Sequence, residues 1–181
     1  MKLNVYRYGS KVLREKSVPV AVVDDALRRL ADDMVETMHA ARGVGLAAEQ
    51  VGRRERMCVI DIPEGCDNPE DEVFNAPIPM PLKMFNPSIV AREGSQRDKE
   101  GCLSFPGVGG SITRAAQVVC QYLDEANQPQ MITARGYLAR AIQHEVDHLD
   151  GILYVDHMSA VERLSFAAKL KRLSRENGGV R

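Results

Sequence analysis

Two histidines four residues apart, with a glutamate directly after the first, constrain this chain more than any other feature of its sequence. They lie in the run QHEVDHLDG, at residues 143–151. Positions four apart on an α-helix lie about 40° apart around its axis, so the imidazoles of His144 and His148 can reach one metal ion. Glu145 would then stand beside the metal as a general acid/base, an arrangement typical of metal-dependent hydrolysis.

The same spacing also arises by chance on ordinary amphipathic helices, so the motif needs support from its surroundings. The chain has 4 histidines in 181 residues, and two of them fall at ligand spacing. The apolar residues before the motif continue the helical stripe that carries Glu145 and His148, which predicts that both histidines point into the core. These apolar residues are Leu138, Ala141 and Ile142. Buried imidazoles without a partner would cost about 1–3 kcal/mol each, and a bound metal removes that cost.

The composition is that of an ordinary globular protein. Hydrophobic residues make up 44% of the chain and charged residues 27%, and the net charge is −1. This balance gives no electrostatic basis for binding membranes or specific DNA. No apolar run approaches the roughly 18 residues of a transmembrane helix, and the first residues lack a signal or transit composition. We therefore expect a single domain over residues 1–181, located in the cytoplasm.

The periodicity of the apolar residues predicts a mixture of helices and strands. Helices are predicted at about 24–41, 135–149 and 159–175, and Asp24 or Asp25 can cap the first of them. Branched residues predict strands at 57–62, 83–92, 117–124 and 130–134. The five prolines of segment 63–82 predict a long surface loop. This order of elements favours an α+β fold, with antiparallel strands around one central helix.

The two histidines leave one protein ligand to find, because a catalytic metal site of this kind uses three. The sequence offers Asp156, His157, a glutamate further along the chain, or a cysteine elsewhere. His157 lies beyond the end of the predicted helix, and we interpret it as a surface residue. Cys102 follows Gly101, which would let the backbone approach closely, and in isolation Cys102 is more simply a small buried thiol. The residues alone leave the third ligand open.

Three runs of the sequence together resemble the motifs of one known family. GVGLAAEQ at 43–50, EGCLS at 100–104 and QHEVDHLDG at 143–151 are similar, in order and in separation, to the three motifs of peptide deformylase. The resemblance extends over nearly the whole chain. It implies an α+β domain in which antiparallel sheets pack around a central metal-binding helix, with N-terminal and C-terminal helices. It also implies removal of the N-formyl group from the initiator methionine of newly made polypeptides, with release of formate.

The resemblance assigns the metal ligands and the general base. It makes Cys102 the third ligand, beside His144 and His148. This ligand set suits Zn(II), Fe(II), Ni(II) or Co(II), and the resemblance favours one Fe(II) ion. Glu145 would accept a proton from water and pass it to the departing amine.

The resemblance also assigns residues that bind the substrate. The side-chain amide of Gln50 and the backbone N–H of Leu103 would stabilise the negative charge that develops on the formyl oxygen. Residues near Ile142 and His144 would form an apolar pocket for the methionine side chain. The backbone groups that would hydrogen-bond an extended peptide belong to Val44, Gly45 and Gly101.

The last predicted helix is rich in cations. A charged run of this kind is usually a solvated face, but an enzyme that acts on N-formylmethionyl nascent peptides would also have a reason to contact the ribosome there. The cations of the helix are Arg163, Lys169, Lys171, Arg172 and Arg175.

Four residues near the motifs could modify the site. Arg42 and Phe105 depart from the residues that we expect beside the motifs, and they could alter which side chains are accepted after the methionine. Asp147 or Arg114 could orient the ligating histidines.

Three other functions are compatible with parts of the pattern. A general metallopeptidase is disfavoured because Cys102 and Gln50 do not belong to the usual HExxH pattern. A non-catalytic module that binds metal or peptide would be expected to lack Glu145 or Gln50, and both are present. A structural zinc site is disfavoured because such sites usually close with four ligands.

Overall fold

The N-terminal helix begins and ends where its sequence predicts. The structure is a computed structural model that describes residues 1–177. Helix α1 (Asp25–Ala40) is capped by Asp24, whose side chain accepts a hydrogen bond from the backbone N–H of Leu27 at 2.9 Å. Its buried apolar residues repeat at helical spacing and include Leu30, Met34 and Met38.

Five strands form one antiparallel sheet, in the order β1-β2-β3-β6-β7. Four of them agree with predicted segments, whereas β1 is too short for its periodicity to be recognised. Because β1 lies at the edge of the sheet, one side of its backbone has no neighbouring strand among residues 1–177. The strands are β1 (Gly45–Ala47), β2 (Met57–Ile60), β3 (Leu82–Glu93), β6 (Gln117–Leu123) and β7 (Pro129–Arg135).

A second sheet of two strands was not predicted. It consists of β4 (Gln96–Gly101) and β5 (Gly109–Arg114), paired in antiparallel fashion. Four of the six residues of β4 are charged, and Glu100 is its one buried residue. The strand therefore lacks the apolar alternation that predicts a strand from sequence.

Helix α3 (Gly136–Leu149) is the central helix of the molecule. It contacts every strand of the large sheet and the short 3₁₀ helix Ala48–Val51. Its apolar side chains share one core cluster with residues of the large sheet, including Ala47, Cys58 and Cys120. The predicted α+β fold, with antiparallel sheets around a central helix, is confirmed.

The segment expected to be a long surface loop contains a helix and contacts the beginning of α3. Helix α2 (Pro69–Asn75) has proline at its first position, where proline is compatible with a helix. Before it, Asp67 Oδ2 accepts a hydrogen bond from the backbone N–H of Tyr137 at 2.6 Å. At its end, Asn75 exchanges two hydrogen bonds with the backbone of Arg135, at 3.0 and 3.1 Å. The prediction of a loop was wrong for residues 69–75, which are helical, and the hydrogen bonds of Asp67 and Asn75 join the segment to the start of the central helix.

The predicted C-terminal helix is interrupted. Helix α4 (Ala160–Ser165) ends before Phe166, and α5 (Ala167–Asn177) follows it. Lys169 of α5 donates a hydrogen bond to the carbonyl oxygen of Gly107 at 2.6 Å, which ties this helix to the loop between β4 and β5. Within residues 1–177, every helix is too short or too polar to span a bilayer.

Candidate metal centre and catalytic cleft

The fold brings Cys102, His144 and His148 together. Their ligand atoms all lie within 4.8 Å of one another, and Cys102 Sγ is 3.3 Å from His148 Nε2. The histidines are one turn apart on α3, and the cysteine directly follows β4. A thiol and two imidazoles are ligands that suit a divalent transition metal, and three protein ligands leave a fourth position for water or substrate. The residues fit a divalent metal ion.

Glu100 fixes the orientation of the first histidine. Its Oε2 is 2.9 Å from His144 Nδ1, which leaves Nε2 as the free ring nitrogen of His144. The carboxylate is itself held by Arg114, through bonds of 2.9 and 3.0 Å, and by Arg140 at 2.6 Å. Burial alone would raise the pKa of the Glu100 carboxyl, but the hydrogen bonds from His144 and Arg114 lower it well below its usual range.

The role of Glu100 was missed in the sequence, although it begins the EGCLS motif. Of the two residues predicted as alternatives for orienting the ligating histidines, Arg114 holds Glu100, which in turn contacts His144. Asp147 is the other. Its carboxylate is paired with Arg114 and with His157, 2.8 Å away, and it reaches neither ligating histidine within the described residues. A carboxylate two residues before the cysteine was the one signal that could have identified Glu100.

Glu145 lies beside the three ligands, on the floor of the cleft. Its side chain is buried, and its Oε2 has no hydrogen-bond partner within residues 1–177. Burial raises the pKa of Glu145 to about 7. A buried carboxyl with a raised pKa, in a cleft and next to side chains that can bind a metal ion, is typical of a catalytic acid or base.

The side chain of Gln50 is fixed at both ends of its amide group. Its Oε1 accepts a hydrogen bond from the backbone N–H of Ala47 at 2.9 Å. Its Nε2 donates to Cys102 Sγ at 3.3 Å and to Ser104 Oγ at 3.1 Å. One amide N–H therefore points toward the metal ligands. The backbone N–H of Leu103, next in the chain after Cys102, forms no hydrogen bond within the described residues.

These residues surround a cleft of about 370 Å³. One wall includes the edge strand β1, and the other includes the end of β4. Ile142, expected near the methionine pocket, is fully buried in the core beneath the sheet, and Ala141 lines the cleft instead. Of the nine predicted site residues, eight line the cleft, and the ninth, His148, completes the ligand group. The eight are Val44, Gly45, Gln50, Gly101, Cys102, Leu103, His144 and Glu145.

The surroundings of Gly101 differ from the sequence-based expectation. A β-carbon at this position would meet no atom within 4 Å, so the fold itself does not require glycine there. Cys102 is only partly buried, as is appropriate for a ligand at the cleft. Arg42 and Phe105 both line the cleft. Phe105 is otherwise buried and packs against Tyr8 and, edge-on, against Tyr154, with ring centroids 4.8 and 5.1 Å apart.

One buried carboxyl near the site had no predicted role. Glu49 precedes Gln50 in the short 3₁₀ helix, is fully buried, and has no hydrogen-bond partner for either carboxyl oxygen within residues 1–177. Burial raises the pKa of Glu49 to about 8. The side chain is therefore mostly uncharged at neutral pH.

Comparison with known proteins points to one family. The family model described as polypeptide deformylase matches residues 2–164. A peptide deformylase from Desulfitobacterium hafniense is 43% identical over 159 residues, which cover 88% of this chain and 96% of that protein. One from Nitrosococcus oceani is 42% identical over 173 residues, 96% of each chain. The crystal structure of peptide deformylase from Thermus thermophilus superposes with a TM-score of 0.84 at 36% identity, covering 97% of this chain and 99% of that one.

Proposed function

The chain belongs to the polypeptide deformylase family, and from this premise we propose how its own residues carry out the family's reaction. That reaction is hydrolysis of the N-formyl amide at the initiator methionine of nascent polypeptides. The formyl carbon gains an oxygen from water, its bond to nitrogen breaks, and formate and a free amino terminus are released. We propose that residues 1–181 form one catalytic domain of this type.

We propose that Cys102, His144 and His148 bind one divalent metal ion. Their mutual distances and the hydrogen bond that orients His144 support this assignment. When bound, the ion supplies a Lewis acid that polarises the formyl carbonyl and lowers the pKa of water. We propose Fe(II) as the native ion because the motifs resemble those of the iron-dependent family, although Zn(II), Ni(II) and Co(II) suit the same ligands.

Glu145 is proposed as the general base and then the general acid. It takes a proton from the attacking water and delivers it to the amine nitrogen as the carbon–nitrogen bond breaks. Two observations support this role: Glu145 adjoins the ligand His144 in the chain, and its Oε2 has no competing partner within the described residues. The buried position also keeps bulk water from competing for the proton.

Gln50 and Leu103 are proposed to stabilise the formyl oxygen. This oxygen gains negative charge as water attacks, and donors held close to it stabilise that charge. The amide of Gln50 is fixed by the N–H of Ala47, and one of its N–H groups donates to Cys102 Sγ at 3.3 Å, so the formyl oxygen would replace the sulfur as its acceptor. The Leu103 N–H has no acceptor within residues 1–177. Loss of one such donor typically lowers kcat by about 10²–10³-fold.

The peptide is proposed to bind as an extended strand along β1. Because β1 is an edge strand, the backbone of Val44 and Gly45 can hydrogen-bond a peptide lying in the cleft. Gly101 faces open space in the cleft and offers its backbone from the other wall. The methionine side chain is placed against the apolar part of the lining near Ala141.

The main support for the proposed mechanism is that Cys102, His144 and His148 lie together beside the carboxylate of Glu145. The test is formate release from a short formylmethionyl peptide, with protein purified anaerobically and its metal content measured. The Glu145→Gln variant should keep about one metal per chain and lose at least about 100-fold in kcat. Normal turnover by that variant would contradict the role of Glu145. To test the identity of the ion, the metal-free protein is loaded with Fe(II) or with Zn(II), and the regained rates of formate release are compared.

We also propose that the enzyme acts in the cytoplasm and contacts the ribosome through its last helix. Lys171, Arg172 and Arg175 are exposed on α5, and the substrate emerges from the ribosome. Replacing these three residues by glutamine should weaken co-sedimentation with ribosomes at low salt and leave turnover of a short peptide unchanged. Unchanged co-sedimentation would contradict the contact.

A further inference from the structure

Two unpaired cations border the catalytic cleft. Arg42 comes just before the edge strand β1, and Lys99 lies in β4, on the other wall. Both residues line the cleft and both are exposed. Among the ion pairs and hydrogen bonds of residues 1–177, none involves the side chain of either residue. Each charge is therefore free to interact with whatever enters the cleft.

The other charges around the cleft are already compensated or buried. Glu100 is paired with Arg114 and Arg140, and all three side chains are buried. Glu145 lies at the floor of the cleft, beside the ligands, and is also buried. The exposed rim thus carries positive charge without a matching carboxylate among the described residues that line it.

The backbone of Arg42 indicates that stability does not account for an arginine there. Its φ is +57°, in the left-handed region, just past the end of α1. Glycine or asparagine is favoured at this position of a helix C-terminus, because a larger side chain is strained there. What arginine adds is a long cationic side chain at the entrance of the cleft. Strained residues of this kind are concentrated at functional sites.

We propose that Arg42 and Lys99 make the enzyme select formylmethionyl peptides that carry acidic side chains directly after the methionine. The inference rests on the proposed function, since the formyl group and methionine occupy the interior and the following residues then pass the rim. An exposed ion pair changes affinity by about fivefold or less, so two cations should separate acidic from basic peptides by about tenfold. The selection should weaken as salt screens the charges.

The experiment compares kcat/KM for three formylmethionyl tripeptides that have alanine, aspartate or lysine as their second residue. At low salt the metal-loaded enzyme should prefer aspartate over alanine and alanine over lysine, with about tenfold between the extremes. The ratio should shrink toward one at about 0.5 M salt, where charges are screened within a few ångströms. Equal kcat/KM for the aspartate and lysine peptides at low salt would overturn the proposal.

Charge reversal identifies the residues responsible. The double variant Arg42→Glu, Lys99→Glu should prefer the lysine peptide, and Arg42→Asn should reduce the preference while suiting the left-handed backbone. Arg29→Glu is the control for position, because it makes one such reversal of charge at an exposed position of α1 outside the cleft lining. This variant should prefer the aspartate, alanine and lysine peptides in the same order as the unmodified enzyme does. An unchanged preference in the double variant would overturn the assignment to these residues.

The alanine peptide separates this inference from the proposed function. Turnover of the alanine peptide with equal rates for the charged peptides would overturn only the charge selection. Absence of formate release from all three peptides, with full metal content, would overturn the proposed function and the selection together.

Discussion

The carboxylate of Glu145 lies against the backbone of Gly45, in the space that any side chain at position 45 would need. A β-carbon built on Gly45 would overlap Oε1 of Glu145. The substrate strand and the general base therefore meet at one residue without a side chain. Glycine is required there by close approach and not by its backbone angles, since its φ is not in the left-handed region.

Replacing Gly45 by alanine should displace the Glu145 carboxylate. We expect kcat to fall by at least about tenfold, because misplacing a catalytic group by about 1 Å can cost about 100-fold. The metal content should be unchanged, since the three atoms nearest to the new methyl group all belong to Glu145 and none to a metal ligand. Formate release and metal analysis on the same preparation measure both quantities.

The control for folding is Gly101→Ala, which adds a methyl group where no atom lies within 4 Å. Its melting temperature should equal that of the unmodified protein. If Gly45→Ala kept full kcat, the carboxylate would have room to move and the overlap would have no catalytic consequence.

Glu49 should make the protein less stable as the pH rises. Its folded-state pKa is about 8, whereas an unfolded glutamate titrates near about 4.3. Between these values the folded state keeps a proton that the unfolded state has lost, so the free energy of unfolding falls by up to about 1.4 kcal/mol per pH unit. The loss begins above the unfolded pKa and is complete above the folded pKa.

Glu49→Gln removes this titration, and urea denaturation at several pH values measures its effect. The stability of the variant relative to the unmodified protein should increase between about pH 5 and pH 8, and then stay constant. A difference between the two proteins that did not change with pH would show that Glu49 is charged in the folded state at neutral pH.

Removing the charge of Glu100 should weaken both the fold and the metal site. Glu100→Gln leaves the buried guanidinium groups of Arg114 and Arg140 without their shared carboxylate, which should cost about 3–5 kcal/mol of stability. The hydrogen bond that orients His144 is also altered, so metal affinity should fall by about 10–100-fold. Glu93→Gln makes the same change at an exposed carboxylate and should affect neither quantity. Competition with a chelator and thermal melting measure the two effects, and a wild-type metal affinity would contradict the role of Glu100.

The hydrogen bond from Lys169 to Gly107 should influence substrate binding from outside the cleft. Gly107 lines the cleft, and its carbonyl is held by α5. Lys169→Met should loosen this wall and raise KM by about two- to fivefold with little change in kcat, because the bond does not reach the reacting atoms. Lys171→Met, on the exposed face of the same helix, is the control. A fall in kcat without a change in KM would show that Lys169 acts on the chemistry instead.

The sequence predicts those parts of the fold that have strong periodicity. Helices α1 and α3 and four strands of the large sheet could be located because their apolar residues repeat at the helix or strand period. The β4–β5 hairpin could not, since charged residues occupy most of β4 and only Glu100 is buried. Helix α2 was hidden by prolines, one of which begins it.

The site was predictable to a different degree. Two ligands and the base follow from spacing on one helix, but Cys102 is brought to them by a strand far away in the chain, and only the resemblance identified it. Glu100 was missed because its partners Arg114 and Arg140 come from β5 and α3, and no local pattern joins them. Glu49 was missed because a buried glutamate looks in sequence like an exposed one.

The contact between segment 63–75 and the start of α3 has a consequence for protein engineering. A proline-rich acidic stretch on the surface looks like a permissive place for an affinity tag or a fluorophore. Asp67 and Asn75 nevertheless make three hydrogen bonds to the backbone of Arg135 and Tyr137, at the N-terminus of α3. This helix carries the two histidines and the general base. An insertion there would disturb these hydrogen bonds and displace the first turn of the catalytic helix. Solvent exposure in this protein is thus a poor guide to which segments tolerate an insertion.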